Sequence, residues 1–513
     1  MKKLRLMGSI LSAAAAFSIW MGVVASAEEP TYGGNLRISL MNDLKTLDPT
    51  YQSNYGERFV MYVMFNTIFS LGKDSSINPE LAERWEVLDQ GKQLVLYLRS
   101  DVKFHDGAPF DAEAVRWNLE HRMEEEVNSP SRFQLRQIIE SIDVVDTHTV
   151  RLNLTGPSPS LLGLLAQRDG LMISPTAAQE LGPDFGSTPI GTGPFKFKQW
   201  DRGGSVIVEK NPDYWDEGKP YLDSIEYVLT NTPVVGIPRL LTGEVDVVVP
   251  LTAVEIRTLE GRSDITIEQR PVSRWVSMQL RVDRPPYDDP KLRQAIAHAI
   301  DRERVVELTS NGKGDVAEGT VPPGLWWHDV EQKSLPYDPE RAKELLSEIE
   351  NVEDLELTIT SPPDSFYSQI AQLVQDQLEA VGLNVQIQAA TSDWYSQVVQ
   401  GKISFVPMRW AARPDPDGLF TLLFHSSSPS NSTGYSDPEV DRLIDEARSS
   451  TDRDERRAMY FEVNRLIMED LPYVPLFFQP EYAAMRETVG NGDSIWVADE
   501  APRFRDLWKT DAR

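Results

Sequence analysis

The chain has 513 residues, 41% hydrophobic and 25% charged, a mix that builds soluble globular structure and leaves room for roughly two to four domains. It contains no cysteine, which excludes disulfides, thiolate metal sites, a cysteine nucleophile and a lipid-modified N-terminal cysteine. Its net charge of −28 opposes binding to nucleic acid or to an anionic membrane surface, but not binding of an anionic small solute, which responds to local charge.

Lys2, Lys3 and Arg5 precede an apolar, alanine-rich stretch over 6–24, and Ala25-Ser26-Ala27 closes it. This is the layout of a secretory signal peptide cut after Ala27, so residues 1–27 are assigned to export. An uncleaved anchor is the alternative, because about 19 apolar residues can just span a bilayer. The small residues at the cleavage site and the acidic Glu28-Glu29 favour cleavage. An exported chain with no lipid anchor is expected in a Gram-negative periplasm.

Strand and helix signals then alternate, which predicts an α/β protein. Residues 94–98 read as a strand. Asp111 is placed to cap a helix through Ala114, Val115, Trp117 and Leu119. Segments 149–154 and 205–209 alternate like half-exposed strands. Asp289-Pro290 opens a helix on which Leu292, Ala295, Ile296, Ala299 and Ile300 share one face. A helix over 368–380 ends at Gly382 and leads into a strand over 383–387. Helices over 438–448 and 455–468 follow, the last stopping before Leu471-Pro472.

Signatures of catalysis are missing: no G-x-S-x-G elbow, no H-E-x-x-H, no phosphate-binding P-loop. Gly191-Thr192-Gly193-Pro194 lacks the third glycine and the lysine, and Pro194 has no N–H to offer a phosphate; a tight turn entering a strand is expected. His105-Asp106-Gly107 has the residues of an acid–base pair, but Asp-Gly is a turn dipeptide and a structural turn is expected. His298 lies on an amphipathic helix, packed or solvated. His425 follows Leu422-Leu423-Phe424, precedes a serine run and could reach a cleft. Asp415 and Asp417 form an acidic pair, either glycosidase-like or loop-capping; the surrounding turn formers favour capping. His, Asp and Glu show no metal-ligand spacing, so neither metal nor cofactor is assigned.

Four groups of residues carry a family resemblance. The first is Leu81-Ala82-Glu83-Arg84-Trp85 with Val102-Lys103-Phe104-His105-Asp106-Gly107. The second is Gly191-Thr192-Gly193-Pro194-Phe195, Asn211-Pro212-Asp213-Tyr214-Trp215 and Gly243-Glu244-Val245-Asp246. The third is Pro285-Pro286-Tyr287, Leu292-Arg293-Gln294-Ala295-Ile296 and Tyr337-Asp338-Pro339. The fourth is Tyr435-Ser436-Asp437-Pro438 with Asp470-Leu471-Pro472. In this order they resemble the extracytoplasmic solute-binding protein family 5 of ABC transporters, which includes peptide-, glutathione-, opine- and nickel-binding members. The resemblance implies an α/β, two-lobed periplasmic-binding-protein fold of type II, with an inserted extra subdomain and hinge strands between the lobes. It implies a monomer without enzymatic activity. Such a protein closes on a small-molecule or short-peptide ligand and hands it to an inner-membrane ABC permease with its ATPases. By the same analogy lobe 1 takes 28–72, 190–276 and 485–513, with 73–189 inserted, and lobe 2 takes 277–484. The crossing strands are expected near 275–282 and 479–485.

The resemblance also bears on the ligand. In dipeptide-binding members an aspartate three residues after a cleft tryptophan meets the peptide amino group. Here Trp410 is followed at that place by Arg413, and a buried ammonium without a counter-charge is costly. The spacing from Trp410 to Asp415 resembles the nickel-chelate branch, in which the tryptophan faces the ligand. Arg132 and Arg168 match arginines that hold chelate carboxylates in that branch, a task suited to the guanidinium fork. The alternative is that both are ordinary surface arginines. The position where that branch carries a histidine is Ser428, with His425 nearby, so nickel is the minor reading. Arg409 and Arg413 flank Trp410. Tyr51, Tyr55 and Arg58 follow the Leu47-Asp48-Pro49 turn, Arg274-Trp275 sits at the lobe junction, and Trp326 and Trp327 are core or rim. The candidate ligand contacts are therefore Arg132, Arg168, Trp410, Arg413, Tyr51, Tyr55, Arg58, Trp275 and His425. The solute they fit is small and carboxylated: a short or modified peptide or an amino-acid conjugate. Nickel-chelate, opine or sugar ligands, a phosphatase-like exported hydrolase and a receptor-docking sensor are the alternatives.

Overall fold

The computed structural model describes residues 29–51, 55–127, 129–271, 274–411, 413–499 and 501–510; the signal segment assigned to 1–27 lies outside them. A seven-stranded mixed sheet forms the first body. Its strands run, edge to edge, Ile265–Gln269, Tyr482–Arg486, Val247–Leu251, Asn35–Leu40, Ser224–Leu229, Ser205–Lys210 and Phe195–Asp201. Asn35–Leu40 pairs in parallel with Ser224–Leu229, from Asn35 opposite Ser224 to Leu40 opposite Leu229. The helix Tyr55–Met64 buries eight of its ten residues against this sheet, including Phe59, Val60, Val63 and Met64.

The second body is built on a four-stranded sheet in the order Asp315–Val316, Tyr473–Gln479, Arg274–Leu280, Phe405–Trp410. All seven residues of Tyr473–Gln479 are buried, because helices and loops cover both faces. Val474 and Leu476 enter a core shared with the helices Pro290–Ala299 and Ser365–Ala380. Tyr473 and Phe478 enter another, shared with Asp417–Phe424, Pro438–Ser449 and Arg453–Asp470. The helix starts expected at Asp111 and Asp289 are in place, and Asp437 opens a third helix in the same way: each side chain accepts from backbone N–H groups of the helix that follows. Leu471, in left-handed conformation at φ 53°, ends the helix Arg453–Asp470.

A third, antiparallel sheet, Ala82–Leu88, Gln93–Leu98, Thr149–Leu154 and Ile139–Asp146, packs under the helix Ala112–Met123 and has its own core. The turn at His105 joins it to the first body. His105 Nε2 donates to the Gly193 carbonyl at 2.9 Å, and its Nδ1 accepts from Gly191 N at 3.3 Å. Both ring nitrogens are thus used by a neutral imidazole, and burial depresses the pKa to about 4. A Cβ on Gly193 would strike the Met64 carbonyl carbon at 2.5 Å and the Val63 oxygen at 2.6 Å, so close approach demands glycine there. His105-Asp106-Gly107 and Gly191-Thr192-Gly193 are one structural joint.

The chain passes from the first sheet to the second between Gln269 and Arg274, and returns between Gln479 and Tyr482. This corrects the expected boundaries. Arg274–Leu280 lies whole in the second sheet and Tyr482–Arg486 whole in the first, so cuts at 276 and 485 would divide paired strands. The tail after 490 then binds the third sheet's subdomain to the first body. Trp496, Phe504 and Leu507 enter the first core, Ala498 N donates to Gly72 O at 3.1 Å, and Arg505 pairs with buried Glu80. Truncating Arg505 to alanine leaves Glu80 buried with only the Asn66 amide beside it. The expected cost is about 3 kcal/mol, seen as a melting midpoint lowered by ~6 °C or more in calorimetry.

Candidate ligand-binding cleft

The two crossings meet over one carboxylate. Glu481, in the return crossing, accepts from Tyr55 Oη at 2.5 Å and from Arg274 Nε at 2.9 Å, with Arg270 Nη1 3.9 Å away. Arg270 N donates to Glu481 O at 2.8 Å, which stitches the crossings through their backbones. Burial alone would raise the Glu481 pKa, but Arg274 and Arg270 outweigh it and hold the carboxyl below its usual range. The same burial and the Glu481 charge push the Tyr55 phenol well up, so it stays a donor. Behind this group Asp499 is held by Tyr62 Oη at 2.9 Å, Gln167 Nε2 at 2.6 Å and Arg503 Nη2 at 2.6 Å. Arg58 lies close enough to both Asp499 and Tyr62 to act on their titration.

The inserted subdomain supplies a second corner. Arg132 opens the helix Arg132–Ile138 and Arg168 opens the turn Arg168–Gly170. Their neighbours Ser131 and Asp169, both buried, are hydrogen-bonded to each other, so the two segments that carry the arginines are held together. A Cβ on Gly170 would overlap the Leu165 carbonyl, so the turn can sit this close to the preceding helix only with glycine. Beneath it Arg122 is 1% exposed; its Nη1 donates to Pro49 O at 2.8 Å and its Nη2 to Leu171 O at 2.7 Å. Arg122 thereby ties the 47–51 turn, with Tyr51 at its end, to the Arg168 turn. The Arg168 guanidinium has no hydrogen bond or ion pair among the described residues. Arg132 has one loose partner, Glu125 at 3.4 Å, which is 80% exposed.

The second body supplies the facing wall. Trp410 ends the strand Phe405–Trp410 opposite Trp275, half-buried, and its indole N–H has no partner. Arg409 donates to Gln479 Oε1 at 3.2 Å and lies over the rings of Phe366 and Tyr367, at 5.3 and 5.7 Å. Arg413 folds back so that its Cβ and Cγ would pack on a side chain at Gly418, and it acts on the Tyr395 phenol. Asp415 faces the subdomain: a Cβ on Gly163 would touch Asp415 Cβ at 3.8 Å. Both Asp415 oxygens are taken by Arg456, at 2.7 and 2.9 Å, and Asp417 accepts from Arg448 at 3.0 Å and Thr421 at 2.5 Å. The acidic pair is structural.

Of the sequence candidates, Tyr55 and Arg58 gather at the crossing and Tyr51, Arg132 and Arg168 at the subdomain corner, with Trp410 and Arg413 on the opposite wall. Two lie elsewhere. Trp275 is 2% exposed and packed into the core against Tyr473, ring centroids 5.2 Å apart and planes tilted. His425 caps the far end of the helix Asp417–Phe424 and is engaged by Ser427 at 2.8 Å and by Asp445 at 3.4 Å. Glu481 and Arg122 were not anticipated: one sits in an unremarkable Gln-Pro-Glu stretch, the other looks like the solvated face of a helix. Among the described residues no group of three or more His, Asp or Glu could hold a metal ion, and no helix is long and apolar enough to cross a membrane.

The model of the bacterial extracellular solute-binding proteins, family 5, matches residues 76–431, more than half of the chain. The chain belongs to that family. Its members bind solutes and are not enzymes, in keeping with the absence of catalytic signatures. A glutathione-binding protein of Salmonella paratyphi A, GsiB, is 31% identical over 474 residues, covering 90% of this chain and 91% of the relative. Among solved structures, a dipeptide-binding protein of Pseudoalteromonas sp. SM9913 in complex with Met-Leu is 25% identical with a TM-score of 0.80, covering 93% of this chain and 100% of the other. AgaA of A. tumefaciens R10, in complex with agropinic acid, is 26% identical with a TM-score of 0.77, covering 89% of this chain and 94% of the other. The family's two-lobed α/β binding-protein fold, expected from the resemblance, is the fold found.

The Glu481 group has a pH signature. A carboxyl held below its usual range stabilises the fold at neutral pH, and this stabilisation is lost as the pH falls through that range. Glu481→Gln should therefore melt lower than wild type at about pH 7, with the gap narrowing towards about pH 3. A gap that is constant across that window in thermal scans would remove Glu481 as an ionised partner.

Proposed function

We propose that this protein is the periplasmic solute-binding component of an ABC importer, and that its solute is small and carboxylated: a short or modified peptide or an amino-acid conjugate. Lobe 1 is the body of the seven-stranded sheet with the inserted subdomain of 73–189, and lobe 2 is the body of the four-stranded sheet. Closure about the two crossings brings Arg132 and Arg168 against Trp410 and Arg413 with the solute between them. An inner-membrane permease and its ATPases receive the closed, monomeric form.

The observation that carries this reading is the Arg168 guanidinium, without a partner among the described residues and on a turn tied to that of Arg132 by the Ser131–Asp169 bond, in a protein whose net charge is −28. A cation kept without a partner at a cleft is ready for a carboxylate, and Arg–carboxylate forks are strong and directional. The glutathione-binding relative supports a peptide-like acid, and the agropinic acid complex supports an amino-acid conjugate. Nickel is disfavoured, since Ser428 donates to Leu422 O at 2.8 Å and His425 is held by its own neighbours.

A thermal-shift screen of the protein against glutathione, dipeptides, opine-type conjugates, sugars and nickel–histidine tests the class. Solute at about 100 times Kd adds roughly 2.7 kcal/mol and moves the midpoint by a few degrees. Arg168→Ala should weaken the carboxylated solute that shifts the wild type by about tenfold or more in calorimetric titration. Unchanged affinity would defeat the carboxylate clamp.

A further inference from the structure

We infer that the cleft recognises its solute by donated hydrogen bonds alone, and so selects an acidic solute whose amino nitrogen is blocked over one with a free ammonium group. This rests on the carboxylated-solute reading and narrows it. An ammonium leaving water needs a carboxylate to meet it, or the desolvation is uncompensated. The buried carboxylates around the cleft are already held. Asp169 accepts from Ser131, Asp415 is bridged by Arg456, and Asp417 is held by Arg448. Glu481 is shared by Tyr55 and Arg274, and Asp499 by Tyr62, Gln167 and Arg503. Taking Asp415, Asp499 or Glu481 for an ammonium would strip an arginine of its partner, and taking Asp169 would strip the bond that ties the Arg132 and Arg168 turns.

The unpartnered groups are of the opposite kind. On the subdomain side they are the Arg168 guanidinium and the buried Arg132 Nε. On the lobe 2 side it is the indole N–H of Trp410. Each is a donor with no acceptor capacity. A buried donor left unmade is costly, so acceptor oxygens on the solute are favoured from both sides of the cleft. A solute with an acidic group towards each lobe and an amide or otherwise blocked nitrogen between them meets this demand; a zwitterionic end does not.

The test is calorimetric titration of the protein with matched pairs: glutathione and glutamyl-glutamate, each against its N-acetyl form. The tighter-binding pair decides. The N-acetyl member should bind about tenfold more tightly than the free amine. Trp410→Phe, which keeps a ring and removes the N–H, should weaken the N-acetyl member by about threefold to tenfold while leaving the melting midpoint near wild type. A free-amine form that binds as well or better overturns the inference and leaves the carboxylate reading standing. If no member of either pair binds, the carboxylate reading falls and the inference falls with it.

Discussion

The two paths between the large sheets meet at one buried carboxylate, Glu481. The two crossings between the large sheets carry Arg270 and Arg274 on one strand path and Glu481 on the other, and Tyr55 reaches in from the first helix. A buried carboxylate between arginines is an expensive choice over apolar packing. Its return is directional: the hydrogen bonds fix where the two strand paths lie relative to each other. An apolar plug would hold the same place with less geometric definition.

The inserted subdomain follows lobe 1 because it is bound to it three times over. His105 bridges to the Gly191–Gly193 turn, Arg122 bonds the 47–51 turn to the Arg168 turn, and the tail pairs Arg505 with Glu80 and Asp499 with Gln167. The corner that carries Arg132 and Arg168 is therefore built into the same body as the seven-stranded sheet.

Much of this fold is legible in the chain. Asp111 and Asp289 announce helices because a short acceptor before an apolar period has one common use. The half-exposed strands at Thr149–Leu154 and Ser205–Lys210 announce themselves by alternation. Tyr473–Gln479 does not, since a strand buried on both faces has no period to read. Arg132 and Arg168 stand out in the sequence only through family resemblance; nothing local separates them from solvated arginines, and it is the Ser131–Asp169 bond, across 38 positions, that brings their segments together. Trp275 and His425 looked equally apt. Their burial and their local partners are set by neighbours distant in sequence, Tyr473 for the one and Asp445 for the other.

The order of strands in the seven-stranded sheet carries a consequence for biogenesis. Tyr482–Arg486 lies between Val247–Leu251 and Ile265–Gln269, so nearly the last strand made is inserted between two made more than two hundred residues earlier. Lobe 2, by contrast, draws its whole sheet from one unbroken stretch, Arg274 to Gln479. Lobe 2 can therefore complete itself first, while the lobe that holds the N-terminal strand waits with an open edge until the end of the chain arrives. Such long-range closure is slow. A chain that stays unfinished at its leading end until synthesis is over is one that can still be threaded through a narrow channel.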